Sequence, residues 1–136
     1  MLSSARRNEL VAAAKQAQGK AYAPYSNYLV GAALLTSSGT IYQGSNIENA
    51  AYPDSICAER VAVFKAVSEG EKDFEAIVVV TRDGGTPCGS CRQVLAEFSL
   101  GALVLIANQA GEITREATVA DLLPGAFGPS NLETTR

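Results

Sequence analysis

The chain has no histidine among its 136 residues. Any metal it binds must be held by sulfur or carboxylate rather than imidazole. It has only three cysteines, Cys57, Cys88 and Cys91. An odd number does not suit a disulfide framework, and a reducing compartment would not maintain one. Charged residues make up only 18% of the chain, too few for a disordered or supercharged protein. There is no run of lysines or arginines and the net charge is −3, which argues against nucleic-acid or anionic-membrane binding. Long apolar runs are missing as well. Stretches such as Gly101 to Ala107 are far too short to span a bilayer. The opening MLSSARRNEL has no apolar segment beside its arginines, so no secretory signal is expected. These absences leave a soluble, cytoplasmic protein as the expectation.

What is present supports a packed core. Apolar residues make up 47% of a chain the size of one ordinary domain. We expect one domain over 1–128 and a loose tail over 129–136. Leu10, Val11, Ala14 and Ala17 recur at helical spacing behind Ser3 and Ser4, predicting a helix over 4–18. LVGAALLT (29–36) and TIYQGS (40–45) read as a hairpin around Ser-Ser-Gly. An irregular connection, 46–54, leads to a second helix over 55–69. That helix is apolar on several faces through Val61, Val63, Phe64, Ala66 and Val67, so deep burial is expected. FEAIVVVTR (74–82) reads as a strand covered on both faces. A third helix follows over 88–98, then strands over 102–107 and 112–118, and a short helix over 118–123 stopped by Pro124. The order α-β-β-α-β-α-β-β-α predicts a three-layer α/β/α sandwich with a mixed five-stranded sheet.

The cysteines fall at two predicted helix starts. In PCGSC, Pro87 to Cys91, Thr86 can cap the helix and Pro87 suits its first turn. Cysteines three apart share one helix face, and a helix N-terminus favours the thiolate form that binds metal. C-x-x-C alone fits a redox pair, half a zinc site or two incidental buried thiols. Cys57 adds a third sulfur behind the possible caps Asp54 and Ser55. Three thiolates around a tetrahedral ion leave its fourth position open, as catalytic zinc sites do. Glu59 stands two residues from Cys57, where a carboxylate could move the proton of a metal-activated water.

C-A-E followed by P-C-x-x-C is the pattern of the zinc-dependent deaminases. Beyond those motifs the chain resembles the small homotetrameric cytidine deaminases that act on free nucleosides. The matching segments are AYAPYSNYLVGAAL (21–34), GSNIENAAYPDSICAER (44–60), PCGSCRQVLAEF (87–98) and DLLPGAF (121–127). The resemblance implies one Zn²⁺ per chain on Cys57, Cys88 and Cys91, with Glu59 as proton shuttle. It implies hydrolysis of cytidine and 2′-deoxycytidine to uridine and 2′-deoxyuridine with release of ammonia, a step of pyrimidine salvage. Asn46 and Glu48 would hydrogen-bond the ribose, and Ala58 would line the substrate pocket. Tyr28 falls where the family usually has a phenylalanine against the pyrimidine; its extra hydroxyl needs a partner. Tyr52 and Phe127 would complete a neighbouring subunit's pocket, as expected of a homotetramer with shared active sites. Tyr22 and Tyr25 are expected in the core.

Three thiolates on Zn²⁺ carry a net charge of −1, which opposes ionising a bound water. Arg60, beside Glu59, is the residue expected to offset that charge by donating to a ligand sulfur. Arg92 is expected to be a solvated surface arginine. Rival readings are a deaminase for another aminopyrimidine, a polynucleotide editor, and a protein whose zinc only staples the fold. The ribose-suited Asn46 and Glu48, the acidic net charge, and the open ligand position with Glu59 weigh against them in turn.

Overall fold

A computed structural model of the chain describes residues 2–132. Its elements are α1 (Ser4–Gln18), β1 (Gly31–Thr36), β2 (Ile41–Ser45), α2 (Ala58–Ser68), β3 (Phe74–Val80), α3 (Gly89–Phe98), β4 (Leu103–Ala107), β5 (Ile113–Thr118) and α4 (Val119–Leu122). Short 3-10 turns cover Tyr52–Asp54 and Pro129–Leu132. The second of these lies within the expected tail; residues 133–136 fall outside the described residues.

The five strands form one sheet in the order β2-β1-β3-β4-β5. Among hydrogen-bonded neighbours only β3 and β4 run parallel; α3 crosses between them, as α2 crosses from β2 past β1 to β3. The other neighbours are antiparallel. Side chains alternate between the faces. Ala32, Leu34, Ile77, Val79, Val104 and Ile106 pack with α2, α3 and Val119 of α4. Ala33, Leu35, Val78, Val80 and Leu105 pack under Leu10, Val11 and Ala14 of α1. The expected three layers therefore hold, with β1 and most of β3 buried on both faces.

Two glycines set how closely the helices lie on the sheet. A Cβ on Gly31 would stand 1.9 Å from the Ala14 carbonyl oxygen of α1. One on Gly44 would stand 2.1 Å from the Ala58 carbonyl oxygen, at the first residue of α2. Backbone cannot yield at such distances, so Gly44 lets the start of α2 sit directly on β2.

Burial departs from expectation in two places. Val63 and Ala66 of α2 are buried, but Phe64 is 46% exposed and Val61 and Val67 are only partly covered. One flank of α2 is thus open to solvent, since the sheet and α3 cover only part of its circumference. Tyr22 and Tyr25 are exposed rather than core, because the loop that carries them runs outside the sheet.

Candidate metal and active site

The N-termini of α2 and α3 meet beyond the ends of β1 and β3. Cys57 is the N-cap of α2 and Cys88 the N-cap of α3, both with extended backbone. Neither side chain caps its own helix. The expected caps are employed elsewhere. Ser55 Oγ accepts from Asn49 N–H, and Thr86 Oγ1 accepts from Arg92. Pro87 also precedes the helix rather than opening it. Sulfur is a weak acceptor, so a cysteine at the N-cap is free to turn its sulfur away from the helix.

The three sulfurs converge. Cys57 Sγ lies 3.9 Å from Cys88 Sγ, and Cys88 Sγ lies 3.4 Å from Cys91 Sγ. All three fall within 4.8 Å of one another. Tetrahedral zinc with bonds of about 2.3 Å would set its sulfurs about 3.8 Å apart, so the donor set fits one zinc ion per chain. Burial grades from the exposed Cys88 through Cys57 to the fully buried Cys91. The Cys57 thiol is drawn down to about 5 by a hydrogen bond with Cys91 and by Arg60, against its burial. The Cys91 thiol is pushed up by the same bond and by burial. Cys57 therefore ionises before Cys91.

Arg60 Nη2 donates to Cys57 Sγ at 3.3 Å. Its Nε is buried and has no partner among the described residues. The guanidinium is thus committed to the thiolate cluster. Glu59, on the same turn, is only 5% exposed. Burial pushes its carboxyl up to about 7, and the Cys57 thiolate adds to this; its own backbone N–H and Arg60 oppose. A carboxyl so placed can both accept and return a proton near neutrality.

A cavity of about 570 Å³ opens from these groups and is also lined by Tyr28, Asn46, Glu48, Tyr52 and Ala58. Ala58 is fully buried in its wall. Glu48 accepts from the backbone N–H groups of Tyr25 and Ser26 and from the Ser26 hydroxyl. The Ser26 hydroxyl, followed by those N–H groups, holds its carboxyl below the usual range. Asn46 Oδ1 accepts from Val30 N–H and its Nδ2 donates to the Tyr28 carbonyl. This side chain extends the β1–β2 pairing and keeps one N–H for a ligand. Tyr52 is 70% exposed at the rim, edge-on to Tyr25 with ring centres 5.9 Å apart. Phe127 is 58% exposed and does not line this cavity; its carbonyl accepts from Gln93.

Three participants were not foreseen. Ser26 organises Glu48, and Asp83 accepts from the Tyr28 hydroxyl at 2.6 Å. Arg92 is not a free surface arginine. It donates to Pro87 O, Leu122 O and Thr86 Oγ1, tying the C-x-x-C entry to α4. For Asp83 the sequence offered only a turn signal, Asp-Gly-Gly; for Arg92 only its place after Cys91.

Three thiols gathered at two helix N-termini, beside a buried acid and a nucleoside-sized cavity, define a metal-dependent enzyme site on an α/β/α frame. Residues 4–107 match the family of the cytidine and deoxycytidylate deaminase zinc-binding region. The chain belongs to that family. It is 54% identical over 127 residues to a cytidine deaminase of Sporosarcina psychrophila, covering 91% of this chain and 93% of that one. It is 51% identical over 124 residues to a cytidine deaminase of Halalkalibacterium halodurans, covering 89% and 93% respectively. The crystal structure of cytidine deaminase from Burkholderia pseudomallei superposes with a TM-score of 0.83 at 47% identity, covering 88% of this chain and 97% of that one.

Proposed function

We propose that this chain hydrolyses cytidine and 2′-deoxycytidine to uridine and 2′-deoxyuridine, releasing ammonia, as a step of pyrimidine salvage. The observation that carries the reading is the convergence of three sulfurs within 4.8 Å beside the buried Glu59, on one cavity with Asn46 and Glu48. Cys57, Cys88 and Cys91 hold zinc. When bound, zinc supplies a Lewis acid that makes a water nucleophilic near neutral pH. Glu59 accepts the proton of the attacking water and delivers it to N3 of the pyrimidine, then passes the proton of the hydroxyl now on C4 to the amine, which leaves as ammonia as the C4 carbonyl forms. Its burial excludes bulk water from that transfer. Glu48 and the remaining Asn46 N–H bind ribose hydroxyls, with the Glu48 carboxylate already ionised and aimed by Ser26. Tyr28 and Ala58 bound the base. The test is incubation with cytidine and loss of its absorbance; a zinc-loaded protein inert on both nucleosides contradicts the reading.

Arg60 offsets the charge of three thiolates. Arg60→Gln should weaken zinc binding about 10–100-fold, the usual cost of losing a group that supports a ligand. It should also move the acidic limb of the pH–rate profile to higher pH, since less positive charge remains to favour the ionised water. Unchanged affinity together with an unshifted profile would remove this role.

We further propose a homotetramer in which Phe127 and Tyr52 close a neighbouring copy's pocket. Their exposure, 58% and 70%, supports this, because large aromatics left in water favour an interface. A sedimentation mass of one chain would contradict it. Among the described residues no helix is long and apolar enough to cross a membrane. Three unpaired thiols suit a reducing compartment, and the cytoplasm is the proposed location.

A further inference from the structure

Tyr28 sits in the irregular segment that precedes β1, where no strand partner fixes it. Its backbone is held on both sides: its N–H donates to Ser26 Oγ at 3.0 Å and its carbonyl accepts from Asn46 at 2.8 Å. Its ring is held separately. The hydroxyl donates to Asp83 Oδ1 at 2.6 Å. Thr81 donates to the same oxygen at 3.3 Å and accepts Gly85 N–H at 2.7 Å. Thr81 is buried and rooted in the sheet through its N–H to the Ala107 carbonyl. The Arg82 guanidinium lies 4.9 Å from the ring centre. A Cβ on Gly85 would stand 2.4 Å from the Tyr28 hydroxyl oxygen, yet 3.6 Å from the ring carbon that bears it. The loop after β3 therefore carries both an acceptor for this hydroxyl and a gap cut to its size. A phenylalanine would need neither.

We propose that Tyr28 and Asp83 form a latch joining the base wall of the pocket to the loop that leads into Cys88, with Asp83 and Gly85 as positioning residues for nucleoside binding. The latch rests on the deaminase reading for the identity of its ligand, and on this chain's geometry for the rest. Two walls that would otherwise move independently are fixed before substrate arrives, which lowers the ordering cost of binding. Pointed at Asp83, the hydroxyl leaves the ring to line the cavity on the side not covered by Arg82.

Tyr28→Phe keeps the ring and opens the latch. KM for cytidine should rise about fivefold, the worth of one such hydrogen bond, with a smaller fall in kcat. Asp83→Ala should give the same rise, and the double variant no more than either single change. Asp83→Asn retains an acceptor oxygen and should bring KM back towards the parent. Gly85→Ala should raise KM by more than about fivefold, and adding Tyr28→Phe should bring it down to the Tyr28→Phe value, since the new methyl then makes only ordinary contacts, 3.5 Å from Asp83 Oδ1 and 3.6 Å from the ring. Amide exchange at Gly85, whose N–H is held by Thr81 Oγ1, should quicken in Tyr28→Phe. Additive effects of Tyr28→Phe and Asp83→Ala, no relief of Gly85→Ala, or unchanged exchange would overturn the latch. A zinc-loaded parent that leaves cytidine untouched overturns the deaminase reading instead, and the exchange comparison then decides the latch by itself.

Discussion

Glu59→Gln should retain about one zinc per chain while losing a hundred- to ten-thousandfold in kcat. The substitution keeps the size and burial of the side chain and removes only its ability to carry a proton. Glu59 is 5% exposed and flanked by Cys57 and Arg60, and among the described residues no carboxylate that could replace it is grouped with the three sulfurs. Its raised pKa follows mainly from that burial, which also confines the proton to the site. Metal analysis and single-turnover kinetics on one preparation separate the two effects. Parent-level turnover in Glu59→Gln would take the residue out of the mechanism; zinc loss alongside activity would make it a structural support for the ligands.

Cys88→Ser should cost more than the 10–100-fold in zinc affinity that is usual for groups merely supporting a ligand. Turnover should fall with occupancy. This position gives the cleaner test among the three cysteines. Cys88 is exposed at the N-cap of α3, where serine is a favoured residue, so the fold should be kept or slightly stabilised. Cys91 is fully buried, and replacing it would mix lost packing with lost ligation. An unchanged far-ultraviolet spectrum with lost zinc is the expected outcome. Zinc bound as tightly as in the parent would exclude Cys88 from the ligand set.

The element order and the three layers were legible because each rests on local periodicity. The nearly unbroken apolar runs of β1, β3 and β4 and the apolar stripe of α1 are written in consecutive residues. The thiols and Glu59 were legible because C-A-E and P-C-x-x-C are compact motifs. The caps were misread for a physical reason. Asp54, Ser55 and Thr86 are better cap residues than cysteine, yet both helices start at a sulfur that turns towards the other helix. Propensity gave way to the geometry of the site. The loop tyrosines and Phe64 were misplaced because hydrophobic character alone does not say which surfaces another element covers.

Longer-range polar contacts were not legible. Asn46 braces Tyr28 and Val30 from 16 to 18 residues away, and Tyr28 meets Asp83 across 55. Arg92 reaches Leu122 only because α4 folds back beside α3. Such partners depend on topology, and a single sequence carries no local sign of them. The resemblance raised the question of what the Tyr28 hydroxyl meets; the folded chain answers it with Asp83 and the space at Gly85.

The most direct measurement of the whole account is reconstitution. Protein stripped of metal by a chelator should leave cytidine unchanged. Zinc added in steps should restore deamination linearly and saturate at about one ion per chain. Full turnover in the stripped protein, or saturation with zinc and no loss of cytidine, would contradict it.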